Sequence, residues 1–290
     1  MYLRVTTQLK YKGLTMDGAS SFDDYRMPDE LWEQLEPFLP EYRSSTKGGR
    51  PRSDLRRIAD AIFYRLRTGC QWNAIPSSLA PGSTAHQYFQ EWLVGGVFDR
   101  LWQVALFDYH QLIGLDLRWQ CVDGAMTKSP LGGQNTGNNP TDRSKQGTKR
   151  SLMTDANGIP LGLVVAGANV HDIRLLEETI NDAWERFPQF VDDPDRNLAL
   201  DKGYTSKKLR ETVETVYGYI AHIKSRREET KARRRRRIKK ARRWVVERTH
   251  GWLNRFRGIL VRWEKKVENH IACLHLACAY FTYARAGVFG

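Results

Sequence analysis

The sequence predicts an α/β protein: a mixed five-stranded sheet flanked by helices, preceded by an all-α block. Three observations carry that prediction. Apolar residues recur at helical spacing up to about residue 115, and after Asp116 the pattern changes to short apolar runs bounded by turn residues. A hairpin-like pair of such runs is then followed by runs alternating with helical stretches, the order of a mixed sheet covered on both faces.

Taken in order, residues 1–26 lack periodicity and read as a disordered tail, with Met16 and Met27 as alternative starts. Leu31, Trp32, Leu35 and Phe38 then follow Pro28 at helical spacing, and Pro40 stops them. Residues 41–52 form a polar, basic arm. Ser53-Asp54 opens a helix with the stripe Ile58, Ile62, Phe63 and Leu66, ended by Gly69. A short turn over 71–75 leads to Pro76. Pro81-Gly82-Ser83 opens another helix through Tyr88, Phe89 and Trp92, and Gly95-Gly96 separates it from a helix over 97–112. Short helices joined by glycine-bearing turns suit a helix-turn-helix-like DNA-binding domain over 27–115, and equally a generic helical bundle. Gly49-Arg50-Pro51-Arg52 favours the first, because Arg50 and Arg52 on a flexible arm suit the negative potential of a minor groove.

Strands are predicted over 119–125, 149–154, 159–167, 197–201 and 218–223, with a turn at Asp155-Ala156-Asn157-Gly158. Helices are predicted over 171–187 and 206–213, and two long ones over about 231–264 and 269–286. Residues 129–148, rich in Gly, Asn, Thr and basic side chains, read as a mobile loop. The whole of 116–290 is thus one α/β domain.

Composition narrows the function classes. The 290 residues can bury a substantial core, and 11% aromatic content with 9 Trp supports one. The net charge of +13 is concentrated: residues 224–243 hold 13 Lys or Arg against Glu228 and Glu229, so the rest of the chain sums to +2. Such a block, with Arg234, Arg236 and Arg243 in it, is too charged for a core and reads as an arm that neutralises phosphates. A nuclear-localisation reading of 233–237 has no other support. No apolar run reaches the roughly 18 residues of a membrane span, and the N-terminus has no apolar leader core. The four cysteines form no CxxC pair or zinc-type spacing and read as buried thiols of a reducing cytosol. The expected location is the cytoplasm, with no membrane partner.

The chemistry is carried by Asp123, Asp201 and Glu247. Asp123 ends an apolar run before Gly124, Asp201 ends another before Lys202-Gly203, and Glu247 lies in a helical stretch immediately after the basic block. A carboxylate at the C-terminal tip of a buried strand points into the crevice where open α/β sheets bind ligands. Three of them, from separate elements, suit Mg²⁺ or alternatively Mn²⁺, hard cations that prefer oxygen ligands. Arg243, Arg248 and Arg255 lie near helical repeats of Glu247, and Lys202 follows Asp201. Each reads as a phosphate contact or as an ordinary surface charge. His171-Asp172 reads as a helix cap or a support to the site, and Trp244 and Trp252 as helical core.

These residues resemble bacterial DDE transposases of the insertion-sequence-five group, over about 28–285. The resemblance rests on Gly49-Arg50-Pro51-Arg52, Leu66 to Trp72, Val122-Asp123-Gly124, Asp155 to Leu161, Ala168 to Asp172, Asp201-Lys202-Gly203-Tyr204 and Val246-Glu247-Arg248-Thr249 onward. It implies a ribonuclease-H-like fold with the first Asp on the first strand, the second after the fourth, and the Glu on a following helix. It also implies a DNA transposase that binds its element's terminal inverted repeats and target DNA, acting as a homodimer or higher oligomer with two divalent ions per site. A related group carries a longer signature that Arg243 and Glu247 fit, but Lys240 stands at its tyrosine position and Asn254 at its final lysine position. A domesticated DNA-binding relative is the alternative, against which the retained trio argues. An RNA-processing nuclease would share the metal chemistry, but a helical N-terminal block suits duplex DNA better.

Overall fold

A computed structural model describes residues 25–42, 52–188, 196–223 and 244–289. Four helices come first: α1 (Asp29–Leu35), α2 (Leu55–Thr68), α3 (Gly82–Val94) and α4 (Val97–Leu112). Their ends are where local chemistry puts them. The Asp54 carboxylate accepts from the backbone N–H groups of Arg56 and Arg57 at 2.9 and 3.4 Å and so caps α2. Gly69 ends that helix in the left-handed region at φ 71°, where a side chain would be strained. The tight Gly95-Gly96 turn lies between α3 and α4, and the apolar face of α4 is buried.

The sheet contains β1 (Trp119–Lys128), β2 (Gly137–Asn138), β3 (Gln146–Thr154), β4 (Pro160–Gly167), β5 (Asn197–Leu200) and β6 (Ile220–Ile223). β1, β3 and β4 form an antiparallel meander, while β5 runs parallel to β1 and β6 parallel to β5. One face carries α5 (Asp172–Arg186), and α6 (Lys207–Thr215) links β5 to β6. The other face carries α7 (Trp244–Leu253), followed by the short α8 (Arg257–Leu260) and the long α9 (Val267–Arg285). α9 lies along α4, so the N-terminal helices and the sheet share one continuous buried cluster. The expected architecture holds: a mixed sheet flanked by helices, behind a helical N-terminal region.

Three local expectations are corrected. The segment expected as a loop over 129–148 is folded, and it supplies the two-residue β2, a sixth strand that pairs Gly137 with Gly147. The cause is distant in sequence: buried Arg262 donates to the carbonyls of Gln134 and Asn135 and to Thr148 Oγ1. The long helix expected to reach 264 stops at Leu253. Buried Phe256 packs on Phe63 of α2, and Val261 then makes a parallel bridge to Lys128, which helical backbone could not do. β1 runs three residues past the expected Ala125, because β3 begins at Gln146 and pairs with it as far as Lys128.

Candidate active site

Cys121 of β1 stands opposite Ala199 of β5 in parallel register. Asp123 lies two residues further along β1, and Asp201 two residues further on, just past the end of β5. Each is tied to the next peptide: Asp123 Oδ1 accepts from the Gly124 N–H at 2.9 Å, and Asp201 Oδ1 from the Lys202 N–H at 2.6 Å. The 3-10 turn Lys202–Tyr204 then folds back, and Tyr204 is buried at 1% exposure. Burial pushes its phenol pKa up, and the charges of Asp172, Asp123 and Asp201 push it further.

Asp172 opens α5. Gly124 makes room for it, since a Cβ there would overlap the Asp172 carboxylate. Lys149 Nζ pairs with Asp172 Oδ1 at 3.0 Å and donates to the Val170 carbonyl at 2.7 Å. His171 caps the same helix, its Nδ1 accepting from the Ile173 N–H at 3.4 Å. The expected capping or supporting role of His171-Asp172 matches this arrangement. Lys149 escaped the sequence reading, because a lysine in a strand looks solvent-facing until its partner is known.

Glu247 is exposed on α7, which crosses β1 and β3. One turn later His250 is buried against the two strands. Its Nε2 meets the Asp123 carbonyl at 3.3 Å, and its Nδ1 meets Arg150 Nε of β3 at 3.1 Å. An arginine only donates, so Nδ1 is the acceptor and Nε2 carries the proton. Burial, and then the Arg150 charge, push the His250 pKa down to about 3, so the ring is neutral.

The trio offers only oxygen donors, which fits a hard divalent cation. The fit lies in backbone placement: among the described residues, no three His, Cys, Asp or Glu side chains form a ready group for a metal ion. Glu247 thus lies on a helix packed against the strand that bears Asp123, and the three carboxylates do not form one tight cluster.

The expected DNA contacts divide. Lys202 is exposed on the turn beside Asp201, and Arg255 is exposed just past the end of α7. Arg52 is exposed with its guanidinium 4.6 Å over the Tyr42 ring, in a groove of about 590 Å³ that Arg57, Ser83 and Gln87 also line. Arg248 has partners of its own. Its guanidinium lies 4.7 Å from the ring centroids of both Trp244 and Trp252 and donates to the Asn157 carbonyl in the β3–β4 turn. Trp252 packs on Phe281 as expected of core, whereas Trp244 is 41% exposed. Arg50, Arg234, Arg236 and Arg243 lie outside the described residues.

A family model described as "Putative transposase of IS4/5 family" matches residues 27–102, and one described as "Transposase DDE domain" matches residues 116–282. The "Putative transposase for insertion sequence element IS402" of Burkholderia cepacia is 39% identical over 146 residues. That match covers 49% of this chain and 66% of the relative, just under two thirds of its length. The "Insertion element IS402 uncharacterized 16.2 kDa protein" of the same organism is 30% identical over 116 residues, covering 39% of this chain and 79% of the relative. The crystal structure of a pre-cleavage Mos1 transpososome aligns with 75% of this chain and 81% of its own at 10% identity. Its TM-score of 0.29 is too low to bear on this chain.

Proposed function

The chain belongs to the DDE transposase family, and from that premise we propose that it is the transposase of an insertion sequence, with Asp123, Asp201 and Glu247 as its catalytic carboxylates. DDE transposase domains use divalent metal ions. The observation that supports the residue assignment is the β1–β5 register, beyond whose last pair Asp123 and Asp201 each lie two residues on, with Glu247 on a helix that packs against β1. The finer reading is two Mg²⁺ ions, or Mn²⁺ in their place, which Asp123, Asp201 and Glu247 would hold. Bound there, the ions would activate the attacking oxygen and stabilise the leaving one in an in-line displacement.

The chain's own groups would do the rest. Lys202 and Arg255 border the carboxylates and would hold phosphates beside them, while the helical region over 27–115, with Arg50 and Arg52, and the basic segment 224–243, with Arg234, Arg236 and Arg243, would grip duplex DNA. Water attack at the element's end would leave a 3′-OH, and that hydroxyl would then attack target DNA. Neither step needs a covalent protein intermediate. Joining two ends calls for at least two copies of the chain.

The test is cleavage of labelled DNA carrying the element's terminal repeat, with Mg²⁺, by the native chain and by Glu247→Gln. The expected result is a nick at the element boundary that falls by several orders of magnitude in the variant while DNA binding persists. Tight binding without cleavage by the native chain, in Mg²⁺ or Mn²⁺, would move the assignment to a DNA-binding relative.

A further inference from the structure

Arg150 sits in the middle of β3 at 2% exposure. No carboxylate among the described residues pairs with it. Its described partners are neutral: His250 Nδ1 at 3.1 Å, the His250 carbonyl at 3.3 Å and Asn254 Oδ1 at 2.6 Å. Its Nη1 is buried without a hydrogen-bond partner among the described residues. A buried cation without a counter-charge is costly, and an apolar pair of similar volume would serve stability at least as well. Something other than stability keeps it there.

The geometry shows what that is. All of its partners lie on α7 or immediately after it, at the third and seventh residues beyond Glu247, so Glu247, His250 and Asn254 form one helical stripe. The guanidinium grips two members of that stripe, and His250 passes the grip on to the Asp123 carbonyl at 3.3 Å. One buried group thereby fixes the height and rotation of the helix bearing Glu247 against the strand bearing Asp123. It also accounts for Asn254, which stands where the related group has a lysine. Here its Oδ1 accepts from Arg150 at 2.6 Å.

We infer that Arg150, His250 and Asn254 are positioning residues that set Glu247 against Asp123, so that the two carboxylates can share divalent cations. The inference rests on the proposed role of those carboxylates. Partners that orient metal ligands from outside the ligand set typically govern metal affinity or activity by about 10- to 100-fold.

The test uses the full chain with Mn²⁺ as the probe. Free Mn²⁺ is counted by electron paramagnetic resonance, beside cleavage kinetics on terminal-repeat DNA and thermal midpoints. In the double variant Arg150→Met, His250→Phe the brace becomes an apolar pair. The expected result is Mn²⁺ binding weakened about 10- to 100-fold and kcat lowered, with KM for DNA and the thermal midpoint held near native values. His250→Gln, whose amide still donates toward the Asp123 carbonyl, should recover part of both losses. Should the double variant fail to fold, Asn254→Ala removes one grip on Arg150 and is read the same way. Native Mn²⁺ affinity and kcat in a folded variant would overturn the inference. So would losses in kcat and KM that merely track a falling thermal midpoint. If the native chain binds no Mn²⁺ and Glu247→Gln changes nothing, the carboxylate assignment itself has failed, and that outcome is distinct from failure of the brace alone.

Discussion

The placement of Asp123 on β1 and of Asp201 just past β5 was legible because each ends an apolar run that reads as a strand. Asp123 was expected at the strand's tip, but β1 continues through Gly124 as far as Lys128, because β3 pairs with it that far. Their supports were not legible. Arg150 and His250 are 100 residues apart and Lys149 and Val170 are 21 apart, so no window of sequence shows either pairing. Arg248 gives the opposite lesson. Its spacing from Glu247 suggested a phosphate clamp, yet its guanidinium is held by two tryptophans and a backbone carbonyl. Arg248→Ala should therefore lower the thermal midpoint by an amount matching roughly 1–2 kcal/mol, the scale of two exposed cation–π contacts and a hydrogen bond. Its DNA affinity should keep the native salt dependence. A shallower salt slope at unchanged stability would return Arg248 to the DNA interface.

Elements were read well where one face is apolar and both ends are capped, as in α2 and α5. They were misread where a distant side chain decides the path. Nothing local in 129–148 announces β2, because Arg262 holds that segment from more than a hundred residues away. Close packing also makes one glycine a test of how α5 sits on the sheet. A Cβ at Gly162 of β4 would come within 2.7–2.8 Å of the Ala183 N, the Ala183 Cβ and the Thr179 carbonyl. Gly162→Ala should force the helix off the strand and cost about 1–3 kcal/mol in urea unfolding, as overpacking does. A variant with a native unfolding midpoint would mean that α5 is not seated as described.

At the scale of the molecule, the two regions expected as separate domains share buried surface, with α9 laid along α4. A chain beginning at residue 116 should accordingly show exposed apolar surface and no cooperative unfolding, and native-like melting of that fragment would contradict the shared core. Acid sensitivity is also set globally. Burial holds His250, His270 and His275 at pKa values down to about 3, against about 6.5 in an unfolded chain. Between those values the unfolded state binds more protons, so stability is full above about pH 6.5 and falls as the pH drops below it. At pH 5.5 each histidine should cost about 1.4 kcal/mol. Asp155, raised to about 6 by burial, works in the opposite direction and offsets part of the loss. Thermal midpoints between pH 7.5 and 5.5 check the net fall, and a midpoint that is flat or rises on acidification would contradict it. No helix among the described residues is long and apolar enough to cross a membrane.

The central claim is that carboxylates from β1, the end of β5 and α7 act as one metal site. The most direct measurement is anomalous scattering from crystals of the chain grown with Mn²⁺ and terminal-repeat DNA. The account predicts Mn²⁺ peaks within coordination distance of Asp123, Asp201 and Glu247, lost when Asp123 is changed to Asn. Ordered DNA at the site with no metal on these three side chains, or metal bound elsewhere in the chain, would contradict it.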